Sequence, residues 1–541
     1  MSSDPTPNFP ISLLQNSVKM TTEPPKGLRA NLQRLYANMT EEQFSKCKRQ
    51  DKYRKLLFAL CWFHSIVVER KKFGSLGLNI PYAFNDSDFA FSENILSLYL
   101  DEFEGQRSNH TCTRVDARGG DEVAHSFALV PSLVFCLLLS LFSETPFDAL
   151  KYLIAQANYG GRVTDSIDRR LLDVYSSQFF TEGALSVPKF PLSSLETYYI
   201  PEDGNLESYR RYIASLPKAD LDLPEAFGQH PNADVASQME ETKTLLGTIL
   251  SLQPRTVVEG AKSREASVLE LITQLLEQIP PPFDIKAISR AHDTDRTPLT
   301  IVLLQELDRY NQLLEIVVRS LQDLQKGIKG LVVISPELEL MLEALHTATV
   351  PRAWHSAYPS MKPLGPWTRD LGQRIAQLSK WASEDSPRVF WLSGFTFPVG
   401  FLTALLQLSA RRNGVPIEAL TWDFVVMGAN EQAINLKPKE GAYIKGLYLE
   451  GARWDVENSC LAEPYPMELY CPMPIIHFKP VEARKKSAKG LHSCPTYIYP
   501  NRSGTPQQPS FLCEVDLKSG PRDSQFWTKR GVALLLSLAE A

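Results

Sequence analysis

The strongest periodic pattern in the chain lies between residues 300 and 329, where large apolar side chains recur at alternating steps of four and three. Its members are Leu303, Leu307, Tyr310, Leu314, Val317, Leu321, Leu324 and Ile328. This spacing places the side chains along one face of an α-helix and matches the heptad seam of a coiled coil. A helix over these residues would be roughly 45 Å long, at 1.5 Å per residue. The pattern predicts a long helix that is buried within this chain or, alternatively, paired with a second chain.

Apolar residues with the same spacing predict a second core-facing helix over residues 51–69. The basic run Arg70, Lys71 and Lys72 follows it, and we expect this run to end the helix because cations are stabilised at a helix C-terminus. Further helices are predicted over residues 236–278, 367–381 and 400–411.

Glycine and proline mark the turns between these helices. Gly160 and Gly161 are predicted to force a turn, after which Thr164 or Asp165 would cap the next helix. Residues 187–222 are rich in proline and tyrosine, which suits an extended connector between two packed units.

Past residue 420 the pattern changes to short strands bounded by glycine or proline. Apolar and polar residues alternate over residues 511–517, the period of a half-buried strand. Other candidate strands are residues 442–449, 475–478 and 496–499. The order of elements predicts an α+β protein with a compact antiparallel sheet or barrel at its C-terminal end.

Charge narrows the list of partners. The chain has 541 residues, a length that predicts about three or four domains. Lysine and arginine number 57 against 62 aspartates and glutamates, so the formal net charge is −5. Such a chain has no large basic surface for phosphate groups, and we do not expect nucleic acid as a partner.

Cysteine usage and hydropathy bear on the compartment. Eight cysteines without a Cys-x-x-Cys pair are typical of a reducing compartment such as the cytoplasm. Residues 1–10 lack the basic start and apolar core of a signal peptide. The apolar run 127–142 is 16 residues long, whereas roughly 20 are needed to span a bilayer. We therefore expect neither secretion nor a membrane partner.

A search for chemistry finds no recognisable active site. The glycines at 441 and 446 have the spacing of a phosphate-binding loop, but Leu447 and Tyr448 stand where lysine and a hydroxyl residue are needed. Neither a HExxH zinc motif nor a GxSxG nucleophile motif occurs. Asp101 and Glu102 follow an apolar run, and we expect them to close an amphipathic helix. No catalytic, cofactor-binding or metal-binding residue is predicted.

Several long, rare strings carry a family resemblance. They are PPKGLRANL (24–32), FHSIVVERKKFGSLGLNIPYAFNDSD (63–88), YGGRVTDSIDRRLL (159–172), PEAFGQHPNADVASQ (224–238), LLQELDRYNQLL (303–314), KPLGPWTRDL (362–371), FWLSGFTFPVGFLTALLQLSAR (390–411), GLYLEGARWD (446–455) and KRGVALLLSL (529–538). In this order they closely resemble the end of the sixth AAA+ module, its lid and the C-terminal domain of dynein heavy chains, most like the axonemal inner-arm type.

The resemblance implies a fold and a domain order. A helical AAA+ lid bundle would be followed by a C-terminal domain of long helices and a small antiparallel β barrel or sheet. The expected parts are a remnant of the sixth AAA+ large subdomain (1–45), the lid (46–183), the helical part of the C-terminal domain (184–358) and its mixed, β-rich part (359–541).

The resemblance also implies a function. The protein would be the C-terminal segment of an axonemal dynein heavy chain, part of a minus-end-directed microtubule motor in the cytoskeleton of a cilium or flagellum. It would brace and regulate the AAA+ ring without a hydrolytic site, while ATP and magnesium bind other modules. Expected partners are the remaining ring and, through the parent chain, dynein intermediate and light chains and microtubules. A free-standing adaptor with the same fold is the alternative, and an autonomous enzyme is a third possibility.

Residues 104–142 depart from the family pattern, because relatives pass directly from the LSLYLDEF string to the SETPFDALKYL string. The insert begins polar and ends in residues whose codons can be rich in pyrimidines, as in an intron before its acceptor site. We expect a retained intron or gene-model error; a lineage-specific loop and a membrane segment are the alternatives. Met1 would fall inside a longer polypeptide, so we expect the sequence to be truncated.

Within the resembling segments, we expect structural roles for eight residues. Gly160 and Gly161 would form a lid turn that a Cβ would obstruct. Arg169 and Arg170 would pair with acidic groups on the neighbouring module or within the lid, with surface capping as the alternative. The tryptophans expected to anchor the C-terminal core rather than bind a ligand are Trp367, Trp391, Trp422 and Trp454.

Overall fold

A computed structural model describes most of the chain. The described residues are 11–16, 18, 25–105, 145–218, 222–252, 264–292, 296–428, 431–483, 490–503 and 510–538. Nearly all of the predicted insert, residues 104–142, lies outside these ranges, and with it the apolar run 127–142. Within the described ranges, no helix is both long enough and apolar enough to cross a membrane.

Helices dominate the described residues. The α-helices are α1 (Ile11–Asn16), α2 (Leu28–Ala37), α3 (Glu41–Phe44), α4 (Gln50–Glu69), α5 (Gly74–Gly77), α6 (Asp86–Gly105), α7 (Phe147–Lys151), α8 (Gly160–Arg162), α9 (Ser166–Phe179), α10 (Glu182–Ser186), α11 (Leu206–Ser215), α12 (Asn232–Leu252), α13 (Arg264–Gln278), α14 (Ile285–Ala291), α15 (Pro298–Ile328), α16 (Pro336–His346), α17 (Arg352–Ala357), α18 (Leu364–Ser383), α19 (Pro398–Asn413) and α20 (Ser524–Arg530). A π-helix, Tyr152–Tyr159, joins α7 to α8. Short 3₁₀ turns lie at Arg70–Phe73, Pro224–Phe227, Leu392–Gly394, Ile417–Ala419 and Glu431–Ala433.

The strands all follow α18. They are β1 (Val389–Trp391), β2 (Leu420–Val426), β3 (Ala442–Lys445), β4 (Tyr448–Glu450), β5 (Arg453–Asp455), β6 (Cys460–Ala462), β7 (Tyr470–Pro472), β8 (Ile476–Glu482), β9 (Leu491–Tyr497), β10 (Phe511–Lys518) and β11 (Ala533–Leu535). They form a four-stranded sheet in the order β1-β3-β8-β2, a five-stranded sheet in the order β10-β9-β11-β4-β7, and the pair β5-β6.

The chain divides into two compact units, each built from separate segments of sequence. The first unit comprises Met1–Glu69, Asn85–Leu153 and Gln178–Asp222, and the second comprises Arg70–Phe84, Ile154–Ser177 and Leu223–Ala541. The four-part division expected from the sequence stays a prediction.

The first unit is helical, and α4 packs against α2 and α6 within it. The predicted helix over residues 51–69 is therefore confirmed, with side chains such as Leu56 and Leu60 fully buried. A cluster of rings closes one side of the core, where Tyr36 stacks on Tyr209 at 6.0 Å between centroids. Asp101, near the end of α6, accepts a hydrogen bond from the backbone N–H of Lys48 at 2.9 Å. The expected amphipathic helix up to Asp101 is present, and this carboxylate holds a loop.

The long helix α15 forms the spine of the second unit. It runs over 31 residues, Pro298–Ile328, and every seam residue from Leu303 to Leu324 is buried, while Ile328 packs partly buried against the same core. Helices α13, α16, α17, α18 and α19 lie against it. The seam is thus covered by helices of this chain, which decides between the two interpretations of the heptad pattern.

The sheets confirm the α+β class and most of the predicted strands, with one difference from the expected antiparallel arrangement. Two strand pairs are parallel, β1 with β3 and β9 with β11. A parallel pair needs a long crossover, and α19 with β2 supplies it between β1 and β3, as β10 with α20 does between β9 and β11. The sequence analysis did not predict β1, β2, β5, β6, β7 or β11, and the single strand predicted over residues 442–449 is two strands, β3 and β4.

Candidate functional site

Arg70 follows α4 directly and is the first residue of the second unit. It begins the 3₁₀ turn Arg70–Phe73, and 1% of its surface is exposed, whereas the next residue, Lys71, is exposed. The helix ends at the basic run, as predicted. Arg70, however, is buried and is not a solvated cation at the helix terminus. A buried guanidinium is costly unless its N–H groups find acceptors.

All five N–H groups of Arg70 have an acceptor. Nε donates to the carbonyl oxygen of Gly77 (2.7 Å), Nη1 to the Tyr175 hydroxyl and to the carbonyl of Phe227 (2.9 Å), and Nη2 to the carbonyls of Leu76 (3.4 Å) and Lys529 (2.5 Å). The Tyr175 hydroxyl in turn donates to the carbonyl of Phe227 at 2.5 Å. We call these residues, Arg70, Leu76, Gly77, Tyr175, Phe227 and Lys529, the Arg70 junction.

Two glycines allow the backbone segments of the Arg70 junction to approach. A Cβ on Gly77 would lie 2.1 Å from the carbonyl oxygen of Arg70. Gly531 ends α20 with φ of +68°, and a Cβ there would lie 2.3 Å from the carbonyl oxygen of Leu76. Since both neighbours are backbone atoms that cannot rotate away, both positions require glycine.

A second layer of bonds supports the Arg70 junction. The Gln229 side chain donates from Nε2 to the carbonyl of Leu76 at 2.6 Å. The carbonyl of Gly531 accepts from Arg502 Nη2 at 2.8 Å, and the same guanidinium nitrogen forms a buried ion pair with Glu450 at 2.5 Å. Gly531 is therefore held in place by its contact with Leu76 and by its hydrogen bond from Arg502.

Burial is the main electrostatic influence on the Arg70 junction. Burial lowers the pKa of Arg70, and the phenol of Tyr175 and the carboxyl of Asp168 act in the opposite direction. Burial also raises the pKa of Tyr175, which keeps its hydroxyl protonated and able to donate. A cavity of about 30 Å³ adjoins these groups. That volume suits one water-sized molecule rather than a substrate.

Asp168 holds the loop that follows α5. Its two carboxyl oxygens accept hydrogen bonds from the backbone N–H groups of Asn79 (2.9 Å) and Ile80 (3.1 Å), and the Asn79 side chain donates to the Tyr497 hydroxyl at 2.7 Å. Burial raises the pKa of Asp168 to about 6, although the two N–H bonds lower it. Asp165 caps α9 by accepting from the backbone N–H of Asp168 at 3.0 Å, as one of the two predicted caps.

Arg170 provides a third connection, on the edge of the same unit. Its Nη2 lies 2.7 Å from Glu514 Oε1, and its Nη1 donates to the carbonyl of Ser493 at 3.2 Å. The Ser493 hydroxyl donates to the same carboxylate. About one third of each of the two charged side chains is exposed. Burial, with Arg170 nearby, lowers the pKa of His492 to about 4, so this imidazole is neutral at pH 7.

The Arg70 junction and the contacts of Asp168 and Arg170 hold segments of backbone in place and do not bring reactive groups together. Most of the acceptors around Arg70 are peptide carbonyls, and no nucleophile faces a base there. Among the residues that the structure describes, no group of three or more His, Cys, Asp or Glu could hold a metal ion. The geometry can hold distant segments of the chain together.

Two family models match the chain. One describes the AAA lid domain of dynein heavy chains and matches residues 53–116 and 132–233. The other describes the C-terminal domain of dynein heavy chains and matches residues 239–536. The second match alone covers more than half of the protein.

The chain belongs to the dynein heavy chain family.

Curated relatives agree over the full length of this dynein segment. The Dynein-1-beta heavy chain of the flagellar inner arm I1 complex from Chlamydomonas reinhardtii is 53% identical over 544 residues, which is 100% of this chain and 11% of the relative. Dynein axonemal heavy chain 2 of Homo sapiens is 52% identical over 99% of this chain and 11% of its own length. Dynein axonemal heavy chain 1 of Homo sapiens is 38% identical over 99% and 12%. This dynein segment thus spans about a ninth of those relatives, and the resemblance seen in the sequence is confirmed.

In dynein terms, the second unit combines parts of both family domains. Arg70, Tyr175 and Phe227 belong to the part matched by the lid model, whereas Lys529 belongs to the part matched by the C-terminal model. Arg170 and Glu514 are divided in the same way. The Arg70 junction is therefore where the lid portion of this unit meets its C-terminal portion.

The two glycines singled out from the sequence lie in helix rather than in a loop turn. The π-helix Tyr152–Tyr159 continues into α8, which contains both residues. A Cβ on Gly160 would lie 2.7 Å from the carbonyl oxygen of Ala155, but one on Gly161 would meet nothing within 4 Å. The predicted obstruction therefore applies to Gly160 and not to Gly161, because only Gly160 faces a backbone carbonyl of the wide π turn.

Arg169 matches the capping alternative, whereas Arg170 has a partner that was not predicted. Arg169 donates from Nη2 to the carbonyls of Val163 (2.8 Å) and Gly160 (3.3 Å), so it caps a backbone turn in the lid portion. Arg170 does pair with a carboxylate, but Glu514 lies in the C-terminal domain and not in the lid.

Of the four tryptophans, three pack in or against the core and one lines a cleft. Trp367 is buried and stacks on Trp354 at 5.6 Å, and Trp454 is buried in β5. Trp422 is partly buried against Phe478 at 5.9 Å. Trp391 is only half-buried and lines a cleft, because β1 is the edge strand of its sheet. The expected core role fits the first three better than Trp391.

Sequence reasoning missed Arg70, Gly531 and Asp168. Arg70 stood in a basic run, and its acceptors are mostly backbone carbonyls, which leave no trace in residue identity. Gly531 carried a weak signal, since glycine after a helix ending in Lys529 and Arg530 is a common C-terminal stop. The glycines at 441 and 446 have a local explanation: both have positive φ at the two ends of β3.

Proposed function

We propose that this segment is the static brace of an axonemal dynein heavy chain, which fixes the AAA lid to the C-terminal domain while other parts of the motor carry out chemistry. The observation that supports it is that all five N–H groups of the Arg70 guanidinium donate hydrogen bonds. One rigid planar group bonds to α5, to α9, to the turn Pro224–Phe227 and to the C-terminal α20. Because the five bonds share one group, the segments they hold move together.

The parent protein would be a minus-end-directed motor on microtubules in the axoneme of a cilium or flagellum. The similar proteins are axonemal and flagellar inner-arm heavy chains, and this similarity supports the assignment. ATP and magnesium would bind AAA+ modules outside this segment. Its direct partner would be the rest of the ring, and intermediate chains, light chains and microtubules would be reached through the parent chain.

The brace is tested in a complete motor. The matching segment of the Chlamydomonas Dynein-1-beta heavy chain, which is 53% identical, is replaced by this sequence, and the I1 complex is purified with Arg70→Ala or with Lys71→Ala as the matched control. We expect slower microtubule gliding and weaker coupling of ATP turnover to movement for Arg70→Ala only, since Lys71 is exposed. Hydrogen–deuterium exchange would show whether Arg70→Ala loosens the Arg70 junction. If the junction is loosened and the motor still moves microtubules at the wild-type rate, the brace is contradicted.

The absence of a hydrolytic site is tested separately on the 541-residue protein. We expect no magnesium-dependent ATP turnover above the background of a mock purification. Turnover that follows the protein through two chromatographic steps would overturn this part of the proposal.

A further inference from the structure

A groove in the second unit runs along one face of α18. Two cavities of about 630 Å³ and 570 Å³ share Gln377 and Lys445 among their lining residues, so they form one continuous groove. Its first wall is α18, and its second wall comes from β1, β3 and residues 536–538. We call it the α18 groove.

The charges in the α18 groove fall into two classes. Three lysines are paired with acids: Lys362 with Asp370 (3.1 Å), Lys437 with Asp385 (2.5 Å) and Lys445 with Glu431 (2.5 Å). Three exposed cations, Arg369, Lys380 and Arg388, have no ion pair with any residue that the structure describes.

The unpaired charges give the groove its sign. Glu384 is the one lining acid without an ion pair among the described residues, against three such cations. Asp370 adds little negative potential, because Arg374 Nη2 approaches it at 2.9 Å in addition to Lys362. A positive groove in a protein of net charge −5 favours an anionic occupant.

Trp391 forms a fixed aromatic wall in this groove. The Gln377 amide bonds both backbone groups of Trp391, accepting from its N–H at 2.9 Å and donating to its carbonyl at 3.3 Å. The Arg374 guanidinium lies 5.2 Å from the ring centre. A Cβ on Gly446 would come within 2.5 Å of the indole, so the glycine lets strand and ring touch. Indole held in this way offers apolar area at little entropic cost.

The length of the groove indicates the shape of its occupant. From Pro366 to Glu384 the lining follows α18 for five turns, roughly 27 Å at 1.5 Å per residue. An extended peptide advances about 3.3 Å per residue, so roughly eight residues would fill this length. A compact small molecule would reach only one end of the line of cations.

We propose that the α18 groove binds an extended acidic segment of another polypeptide subunit. Carboxylates of that segment would lie on Arg369, Lys380 and Arg388, and an apolar side chain would pack against Trp391. The proposal concerns a surface separate from the Arg70 junction and does not depend on the brace.

The test uses the 541-residue protein and a fluorescein-labelled nine-residue peptide of alternating glutamate and leucine, followed by fluorescence anisotropy. Two matched peptides carry glutamine or lysine in place of glutamate. We expect the acidic peptide to bind at least about tenfold more tightly than the glutamine peptide and the lysine peptide not to bind. Equal binding of all three would overturn the proposal.

Surface variants then locate the site. Arg369→Glu combined with Lys380→Glu should weaken the acidic peptide by about tenfold or more, and Gln373→Trp should weaken it by filling the groove without a change of charge. Arg411→Glu is the control, since Arg411 is exposed on α19 and outside the groove lining. Equal binding by the double variant and the control would overturn the assignment to this groove, as would full binding by Gln373→Trp.

A last peptide separates a groove from a charged patch. It keeps the glutamates and replaces each leucine by glycine. We expect it to bind more weakly than the leucine peptide because it has nothing to pack on Trp391. Equal affinity would mean that only charge is read, which would contradict an aromatic-walled peptide groove.

Discussion

Arg70 and Arg369 are arginines of the same compact unit, and they differ in what surrounds them. Arg70 is buried, and every N–H group of its guanidinium has an acceptor. Arg369 is exposed in the α18 groove and has no ion pair with the described residues. The first arginine has no capacity left for a ligand, so its role is to hold the fold. The second retains all of its donors, so it is available to a partner.

The most direct way to break this comparison is to remove Arg70. Arg70→Met should lower the free energy of unfolding of the second unit by about 4 kcal/mol, because several buried carbonyls lose their donor. Lys71→Met, one residue away and exposed, should stay within about 0.5 kcal/mol of wild type. Urea unfolding followed by circular dichroism gives both values. Equal midpoints for the two variants would show that the junction does not stabilise the fold.

Two glycines that end helices test whether the close backbone contact at the Arg70 junction matters for stability. Gly531 and Gly414 have nearly the same φ, +68° and +64°, but a Cβ on Gly414 would meet nothing within 4 Å. Gly414→Ala should cost about 1 kcal/mol for the left-handed backbone alone. Gly531→Ala should cost about 3 kcal/mol, since its Cβ must also displace the Leu76 carbonyl. Thermal unfolding of both variants decides this, and similar losses would refute the close approach.

The pH dependence of stability tests the environment of Asp168. Burial raises the pKa of this carboxyl in the folded state to about 6, whereas an unfolded aspartate titrates near 3.9. The folded state therefore binds more protons in this window, and the contribution of Asp168 to stability, fully present below about pH 4, is lost as pH rises through about 6.

Asp168→Asn cannot titrate, so it isolates this effect. Between pH 4 and 7 the stability of wild type relative to Asp168→Asn should fall by about 2 kcal/mol. Urea titrations at several pH values measure the difference. A constant difference would mean that the carboxyl titrates alike in both states.

The ion pair between Arg170 and Glu514 is intermediate in exposure between the buried Arg70 and the exposed Arg369. Each side chain is about one third exposed, and the nitrogen and oxygen are 2.7 Å apart. A double-mutant cycle with Arg170→Ala and Glu514→Ala should give a coupling energy of about 0.5 kcal/mol, reduced by added salt. A coupling of several kcal/mol would place this pair with the buried junction instead.

The smallest effect is expected for Arg369. Arg369→Ala removes a side chain without a described ion pair, so the free energy of unfolding should change by less than about 0.5 kcal/mol. The same urea titration used for Arg70→Met measures it. A large loss of stability would show that Arg369 has a structural partner, and the contrast with Arg70 would disappear.

Sequence reasoning succeeded where a side-chain pattern reports the packing directly. The seam of α15 is an example, because burial along one helix face demands apolar residues at steps of three and four. The α+β class, the strand at Phe511–Lys518 and the family likewise left a pattern in residue type and order. These features depend on which side chains are present.

It failed where the partner of a side chain is backbone or comes from a remote segment. Nothing local distinguishes Arg70 from Lys71, because the acceptors of Arg70 are mostly carbonyls that any residue carries. Gly160 and Gly161 are adjacent and identical in type, and only the course of the π-helix separates their surroundings. Trp391 looked like the other tryptophans until its strand proved to be at a sheet edge.

The separation of Arg70 and Lys529 in the sequence, 459 residues, has a consequence for synthesis. At about 5 to 20 residues per second, a ribosome needs roughly 20 to 90 s to travel between the two codons. During this interval the guanidinium exists without its last acceptor, and closing so long a loop is entropically slow. The Arg70 junction therefore cannot be completed until the ribosome has reached the C-terminal end of the second unit.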